Sequence, residues 1–249
     1  MQRIVYATSI ILMSFCFLPA TKKIKIFIAG DSTAAIKEIK NYPETGWGMP
    51  FVNFWDSTVT VVNLAKNGRS TKSFIAEGLW KQIIDNAGEG DYVLIQFGHN
   101  DEVPTKKNAT TEEEFKTNLV KFVQETKSKK AIPILITPVS RRQFDDAGKA
   151  METHPVYAQL VRDVAAAQGV LLIDLDQKSI ALFQQLGKEN STLLFNHLKP
   201  GEHPNYPDGK EDNTHFNELG ARKIAAIVLA EIQAQNMELA SHIVKPLKK

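Results

Sequence analysis

Short, continuous apolar runs along this chain alternate with longer stretches in which apolar positions recur every three or four residues. The runs occupy residues 25–29, ending at Gly30-Asp31-Ser32, then 59–64, 92–97, 132–137 and 170–175. Apolar residues at consecutive positions, bounded by turn residues, suit strands covered on both faces of a parallel sheet. Helical patterns lie between them at 74–86, 111–128, 155–168 and 216–235. Residues 111–128 open on Thr111 and a run of glutamates, which favour the positive end of a helix. Residues 155–168 open on Pro155 and stop before Gly169, the usual punctuation. Strand–helix alternation predicts a doubly wound α/β fold: three layers, α/β/α, around a central five-stranded parallel sheet. Residues 188–211, rich in Gly, Pro, His and Lys, are expected to form a long loop, and the tail from residue 241 to be loose.

The N-terminus departs from this pattern. Arg3 precedes an apolar-rich stretch over 4–18, and Pro19-Ala20 places a small residue before Thr21. That is the signature of a secretory signal peptide over residues 1–20, leaving 21–249 as one domain exported to the periplasm or the medium. The stretch is short for a membrane span, which needs about 20 apolar residues. An uncleaved anchor is therefore the weaker reading, and lipidation of Cys16 is weaker still behind the bulky Phe15. Cys16 is the sole cysteine, so the exported chain has no disulfide and no thiolate metal site. A formal charge of +2 lacks the basic excess of a nucleic-acid-binding protein, although local basic clusters can still attract an acidic substrate.

The chemistry concentrates in a few short blocks: Gly30-Asp31-Ser32-Thr33, Asn67-Gly68-Arg69-Ser70, Gly98-His99-Asn100-Asp101 and Asp212-Asn213-Thr214-His215-Phe216. The first three fall at the carboxyl ends of predicted strands, where open parallel sheets bind ligands. Serine needs a base within hydrogen-bond reach to act as a nucleophile. Ser32 is the candidate nucleophile and His215 its base. Asp212, three residues before His215, falls on the same face of a turn or first helical turn and can fix the ring. The Asn100 amide and the Gly68 N–H can hold an oxyanion. Each block has a plain alternative: Ser32 as a helix cap, Asp212 as another, Asn100 and Asn67-Gly68 as turns. Only the esterase reading uses all of them.

Together these blocks resemble the SGNH (GDSL-like) hydrolase superfamily, with its signature Ser, Gly, Asn and His at Ser32, Gly68, Asn100 and His215, and Asp212 as the triad carboxylate. Gly30-Asp31-Ser32-Thr33 stands in place of the common Gly-Asp-Ser-Leu. The resemblance runs from about residue 25 to 232 and implies an SGNH, flavodoxin-like fold. It also implies an oxyanion hole of the Ser32 and Gly68 N–H groups plus the Asn100 side chain. Gly46-Trp47-Gly48, Phe97-Gly98-His99-Asn100-Asp101 and Thr137-Pro138-Val139-Ser140-Arg141-Arg142 are further similar to the rhamnogalacturonan acetylesterase branch. Ala65-Lys66-Asn67 departs from it, where a small residue or glycine often precedes Gly-Arg-Ser. The branch implies an exported enzyme without cofactor or metal that deacetylates an acidic pectic polysaccharide. Neither a nucleic-acid partner nor, after signal cleavage, a membrane partner is expected, and the chain is expected to act as a monomer.

Candidate substrate-binding residues are Arg69, Arg141 and Arg142, whose guanidinium groups suit carboxylates or structural salt bridges; Trp47, as a sugar platform, a core residue or a loop anchor; His99, toward substrate or holding the Asn100 loop; and His203, toward substrate or solvent. Other functions compete. Acetylated xylan, homogalacturonan or a small acyl ester are alternative substrates, although a lipase needs an apolar acyl groove and these loops are polar. A metal-dependent phosphoesterase would need several His and Asp ligands, and the chain has six histidines and no His-x-His pair. An inactive carbohydrate-binding module would leave Ser32, Asp212 and His215 without a task.

Overall fold

The structure, a computed structural model, describes residues 23–244; the signal-peptide reading of residues 1–20 and Cys16 lie outside them. Five strands, β1 (Ile24–Gly30), β2 (Val59–Asn63), β3 (Tyr92–Gln96), β4 (Ile132–Ile136) and β5 (Leu171–Ile173), form one parallel sheet. Its order is β2-β1-β3-β4-β5. The chain moves outward from β1 to β2, then returns to β3 on the other side. This switch opens a crevice at the carboxyl ends of β1 and β3.

Consecutive residues of each strand serve opposite cores. Ile26, Ile28, Leu94, Ile134 and Ile136 face one layer; Phe27, Ala29, Val93, Ile95 and Leu135 face the other. The second face is covered by α2 (Thr71–Ala76), α3 (Leu79–Asn86), α4 (Glu112–Ser128) and α5 (Pro155–Gln168), through Phe74, Trp80, Phe115, Phe122 and Val161. The first is covered by the short α1 (Gly48–Phe51), α6 (Leu175–Asn190) and α7 (Glu218–Ala234), through Phe51, Phe183, Ile224 and Val228. Each such fully buried side chain contributes about 1.5–3 kcal/mol. Burial on both faces explains why β1, β3 and β4 are almost continuously apolar, while the edge strand β2 is half-buried and exposes Thr60.

Several elements differ from the sequence expectation. The helix over 74–86 is two helices, because Gly78 takes a left-handed conformation (φ +74°) between α2 and α3. The fifth run ends early: Asp174 caps α6, and Leu175 is helical. The stretch 188–211 is no single loop. It holds the end of α6, a 3-10 turn at Ser191–Leu194 and the strand β6 (Phe195–Leu198), which pairs antiparallel with β7 (Lys210–Phe216). Phe216 therefore ends a strand, and Asn217 caps α7 by accepting from Gly220 N. Ser241–Val244 is tied down rather than loose, since Asp56 N donates to His242 O and Val244 N to Phe54 O.

Candidate active site

The turn after β1 is braced from inside. Asp31 Oδ1 accepts from Thr33 N (2.9 Å) and Thr33 Oγ1 (2.8 Å). Thr33 Oγ1 accepts from Gln96 Nε2 (2.8 Å), and Gln96 Oε1 accepts from Trp47 Nε1 (2.6 Å). Trp47 reaches this position because its flanking segment presses on the turn: a Cβ on Gly46 would lie 2.1 Å from Ala35 O. Trp47 is fully buried and meets Phe51 edge-on at 5.5 Å. It is a core brace for the Ser32 turn, and its ring offers no face to a sugar. From the other side Lys37 Nζ donates to Ser32 O, to Glu44 Oε1 (2.6 Å) and to Asn67 Oδ1 (2.8 Å), using all three of its protons.

Asp212 and His215 lie in β7, where residues three apart ordinarily point to opposite faces. A bulge brings them together. Phe195 pairs with Phe216 and His197 with Glu211, so Asn196 alone opposes residues 212–215. Asp212 Oδ1 folds this bulge by accepting from Thr214 N (2.8 Å) and His215 N (2.9 Å), which frees Oδ2 to accept from His215 Nδ1 (2.9 Å). The opposite ring nitrogen, Nε2, lies 3.0 Å from Ser32 Oγ. Burial raises the Asp212 pKa, but the His215 ring and the backbone donors outweigh it and hold the carboxyl well below the usual carboxylate range. A charged Asp212 fixes the proton on Nδ1, leaving Nε2 to accept from Ser32. Glu44 Oε1 lies 3.9 Å from Nε2, a second negative group beside the ring.

Gly68 adopts φ +77°, which a side chain would strain, in the turn after β2. Asn100 follows β3, with Nδ2 donating to Arg69 O (3.0 Å) and Oδ1 accepting from Lys106 Nζ (2.6 Å). Among the described residues, neither Ser32 N nor Gly68 N has a hydrogen-bond partner. Ser32, Gly68, Asn100 and His215 line one cleft of about 320 Å³, together with Glu44, Asn67, His99, Lys106, Arg141 and Thr214.

The other candidates divide. Arg141 lines the cleft and donates from Nη1 to Thr214 Oγ1 (3.0 Å). His99 lines it too, but Nε2 donates to Val139 O (2.9 Å), so the ring is an anchor for the Asn100 loop. Burial holds His99 well below the usual histidine range, and the ring is neutral. Arg69 turns away to Glu77 (2.9 Å) and Asn67 O (2.7 Å), holding the Gly68 turn. Arg142 clamps the bulge instead of facing the cleft: its N–H and Nη1 donate to Asn213 O (2.8 Å) and Oδ1 (2.9 Å), and Nε to Ser191 Oγ (2.9 Å). His203 lines a separate cleft of about 460 Å³ with Tyr42, Pro43 and Thr45. Glu44, between Pro43 and Thr45, turns the opposite way into the Ser32 cleft. Sequence reasoning missed Lys37, Glu44 and Lys106, which sit between the blocks at no diagnostic spacing.

Two acids lie buried in the turns that carry Ser32 and Asn100. Asp101 Oδ1 accepts from Thr71 N (2.9 Å) and Thr71 Oγ1 (2.6 Å), binding the Asn100 loop to α2. The Oδ2 atoms of Asp31 and Asp101 have no partner among the described residues. Burial raises both carboxyl pKa values, that of Asp101 to about 7. Folded Asp101 keeps its proton where the unfolded chain, titrating near about 4, has lost it. Its contribution to stability is complete below about pH 4 and disappears as pH rises through about 7. Asp101→Asn keeps the Oδ1 acceptor, so its Tm is expected to fall less than that of wild type between about pH 4.5 and 8. Parallel Tm profiles would contradict this.

At 41% identity over 225 residues, the chain is similar to the rhamnogalacturonan acetylesterase RhgT of Bacillus subtilis (strain 168), covering 90% of this chain and 95% of the relative. The crystal structure of YxiM from Bacillus subtilis superposes with a TM-score of 0.75 at 28% identity, over 87% of this chain and 58% of that one. Axe2, an acetylxylan esterase from Geobacillus stearothermophilus, shares the fold, with a TM-score of 0.57 at 20% identity over 86% of this chain and 96% of that one. The model of the GDSL-like lipase/acylhydrolase family matches residues 28–223, from β1 through the Ser32, Gly68, Asn100 and His215 turns into α7, and the chain belongs to that family.

Proposed function

We propose that this chain is a serine O-acetylesterase that removes acetyl groups from rhamnogalacturonan. The observation that carries the chemistry is the continuous series from Ser32 Oγ to His215 Nε2 (3.0 Å) and from His215 Nδ1 to Asp212 Oδ2 (2.9 Å), opening into one cleft. His215 takes the Ser32 proton as Oγ bonds to the acetyl carbonyl carbon. The negative oxygen formed there receives hydrogen bonds from Ser32 N, Gly68 N and Asn100 Nδ2. His215 then gives its proton to the sugar oxygen as the C–O bond breaks, leaving an acetyl-serine. Water, deprotonated by His215, releases acetate by the reverse sequence. Asp212 and Glu44 face the imidazolium that forms transiently.

The substrate class rests on likeness to RhgT over nearly the whole of both chains and on the cleft. Among the described residues, no aliphatic side chain lines it, so they form no apolar groove there for a long acyl chain. Lys106 and Arg141 bring positive charge beside Ser32, which suits a galacturonate-containing polymer. Among the described residues, no group of three or more His, Cys, Asp or Glu side chains is arranged to hold a metal ion, which gives the phosphoesterase reading no donor set. Residues 1–20 direct export, and the enzyme acts as a monomer on polymer outside the cytoplasm.

Acetate release from acetylated rhamnogalacturonan, acetylated xylan and acetylated homogalacturonan, with Ser32→Ala as the blank, tests the reading. Preferential release from rhamnogalacturonan, absent in the blank, is expected. Serine-dependent release mainly from another polymer would overturn the substrate and keep the esterase. Release unaffected by Ser32→Ala would overturn the mechanism.

A further inference from the structure

The structure assigns Lys106 as a positioning residue whose ammonium fixes and polarises the Asn100 amide, an inference that rests on the oxyanion role of Asn100. Lysine Nζ carries only donors, so the Asn100 atom 2.6 Å from it is the amide oxygen. A backbone carbonyl only accepts, so the atom 3.0 Å from Arg69 O is the amide nitrogen. Each contact enforces the same orientation. Flipping the amide would set its NH2 against the ammonium and its oxygen against Arg69 O. One Nδ2 hydrogen is thereby committed to Arg69, and the other is left for the cleft that Asn100 and Lys106 line with Ser32 and Gly68.

The charge adds to the orientation. A cation on Oδ1 draws electron density from Nδ2, and hydrogen-bonded groups that polarise one another in sequence strengthen each member. The remaining Nδ2–H becomes a stronger donor at the moment negative charge develops on the substrate oxygen. Lys106 forms no ion pair with a carboxylate among the described residues; its side chain goes to a neutral amide. The loop does not depend on that side chain, because Lys106 N donates to Val103 O (2.9 Å) and Ala109 N to Lys106 O (3.0 Å).

The test is a double-mutant cycle of Lys106→Met and Asn100→Ala, measured on a small uncharged acetyl ester so that carboxylate binding plays no part. Asn100→Ala alone is expected to lower kcat about 10²–10³-fold. Lys106→Met alone is expected to lower kcat about tenfold with KM unchanged. In the Asn100→Ala background, Lys106→Met should change kcat by less than about twofold, because the group it acts through is gone. A lysine that merely supports the loop would cost the same factor in both backgrounds, and that result would overturn the proposal. So would wild-type kcat in Lys106→Met, or a defect confined to KM on acetylated rhamnogalacturonan, which would make Lys106 a substrate ligand. Wild-type kcat in Asn100→Ala would instead remove the oxyanion role of Asn100, and that of the lysine with it.

Discussion

Ser32→Ala is expected to lower kcat by about 10⁶ while leaving the fold intact, and His215→Ala by a similar factor. The magnitude follows from the way the pair works: without Oγ the imidazole has no proton to take, and without the imidazole Oγ stays a neutral hydroxyl. The double variant should therefore be no slower than either single one, because each already removes the whole unit. The fold should survive. Ser32 Oγ bonds only to His215 Nε2 among the described residues, whereas the turn is held by Asp31, Thr33, Gln96 and Trp47 behind it and by Lys37 Nζ on the Ser32 carbonyl. Turnover of an uncharged acetyl ester and thermal melting of wild type, both singles and the double check this. A Ser32→Ala enzyme with more than about 1% of wild-type kcat, free of contaminating esterase, would refute nucleophilic catalysis by this serine.

The fold was legible wherever one physical cause dominated. Strands covered on both faces are almost continuously apolar, so β1, β3 and β4 appeared as apolar runs, and the half-buried edge strand β2 stood out by its valines although Thr60 is exposed. The three site turns at the strand ends followed from that register, because each motif begins where a run stops. The fifth run shows the limit. Leu171, Leu172, Ile173 and Leu175 are all apolar, but Asp174 accepts from Gln177 N and from Arg162 Nε, caps α6 and turns Leu175 into a helix. Local apolarity cannot distinguish a strand from a buried helix start.

The site divides along the same line. Ser32, Gly68, Asn100, Asp212 and His215 converge because backbone conformation and the sheet order deliver them. Where a long side chain points is decided by partners outside the motif that carries it. Arg142 is drawn to Asn213 and Ser191, Arg69 to Glu77, and Trp47 to Gln96. Type and proximity to a motif offered these residues as substrate ligands, but acceptors elsewhere took the donors of Arg142 and Arg69, and Trp47 is a core residue, the other reading its sequence allowed. Lys37 and Lys106 reverse the case: nothing in their spacing marks them, yet Lys106 holds the Asn100 amide, and Lys37 holds the Ser32 carbonyl and the Asn67 amide beside Gly68.

The second large effect concerns Asp212, where substitution by asparagine is the informative change. Asp212 performs two separable tasks with its two oxygens. Oδ1 folds the β7 bulge through Thr214 N and His215 N, and Oδ2 receives the His215 Nδ1 proton. Asp212→Asn keeps the first, since an amide oxygen accepts as a carboxylate does. It inverts the second: the amide NH2 then faces Nδ1 as a donor and favours the tautomer protonated on Nε2, which points a hydrogen at Ser32 Oγ and cannot accept one. A loss of about 10⁴ in kcat follows from the wrong tautomer alone. Glu44 cannot compensate, because it approaches the Nε2 side of the ring. Asp212→Ala should lose the bulge as well and melt lower than Asp212→Asn. The interaction of Asp212 with His215 is present above about pH 4, where an unperturbed aspartate ionises, and is lost only as pH falls through the depressed folded value, so neutral assays lie on its plateau. Measured together, a wild-type melting temperature with a kcat loss near 10⁴ in Asp212→Asn would assign Asp212 to the imidazole tautomer; a loss below about tenfold would mean that His215 keeps its working tautomer without this carboxylate.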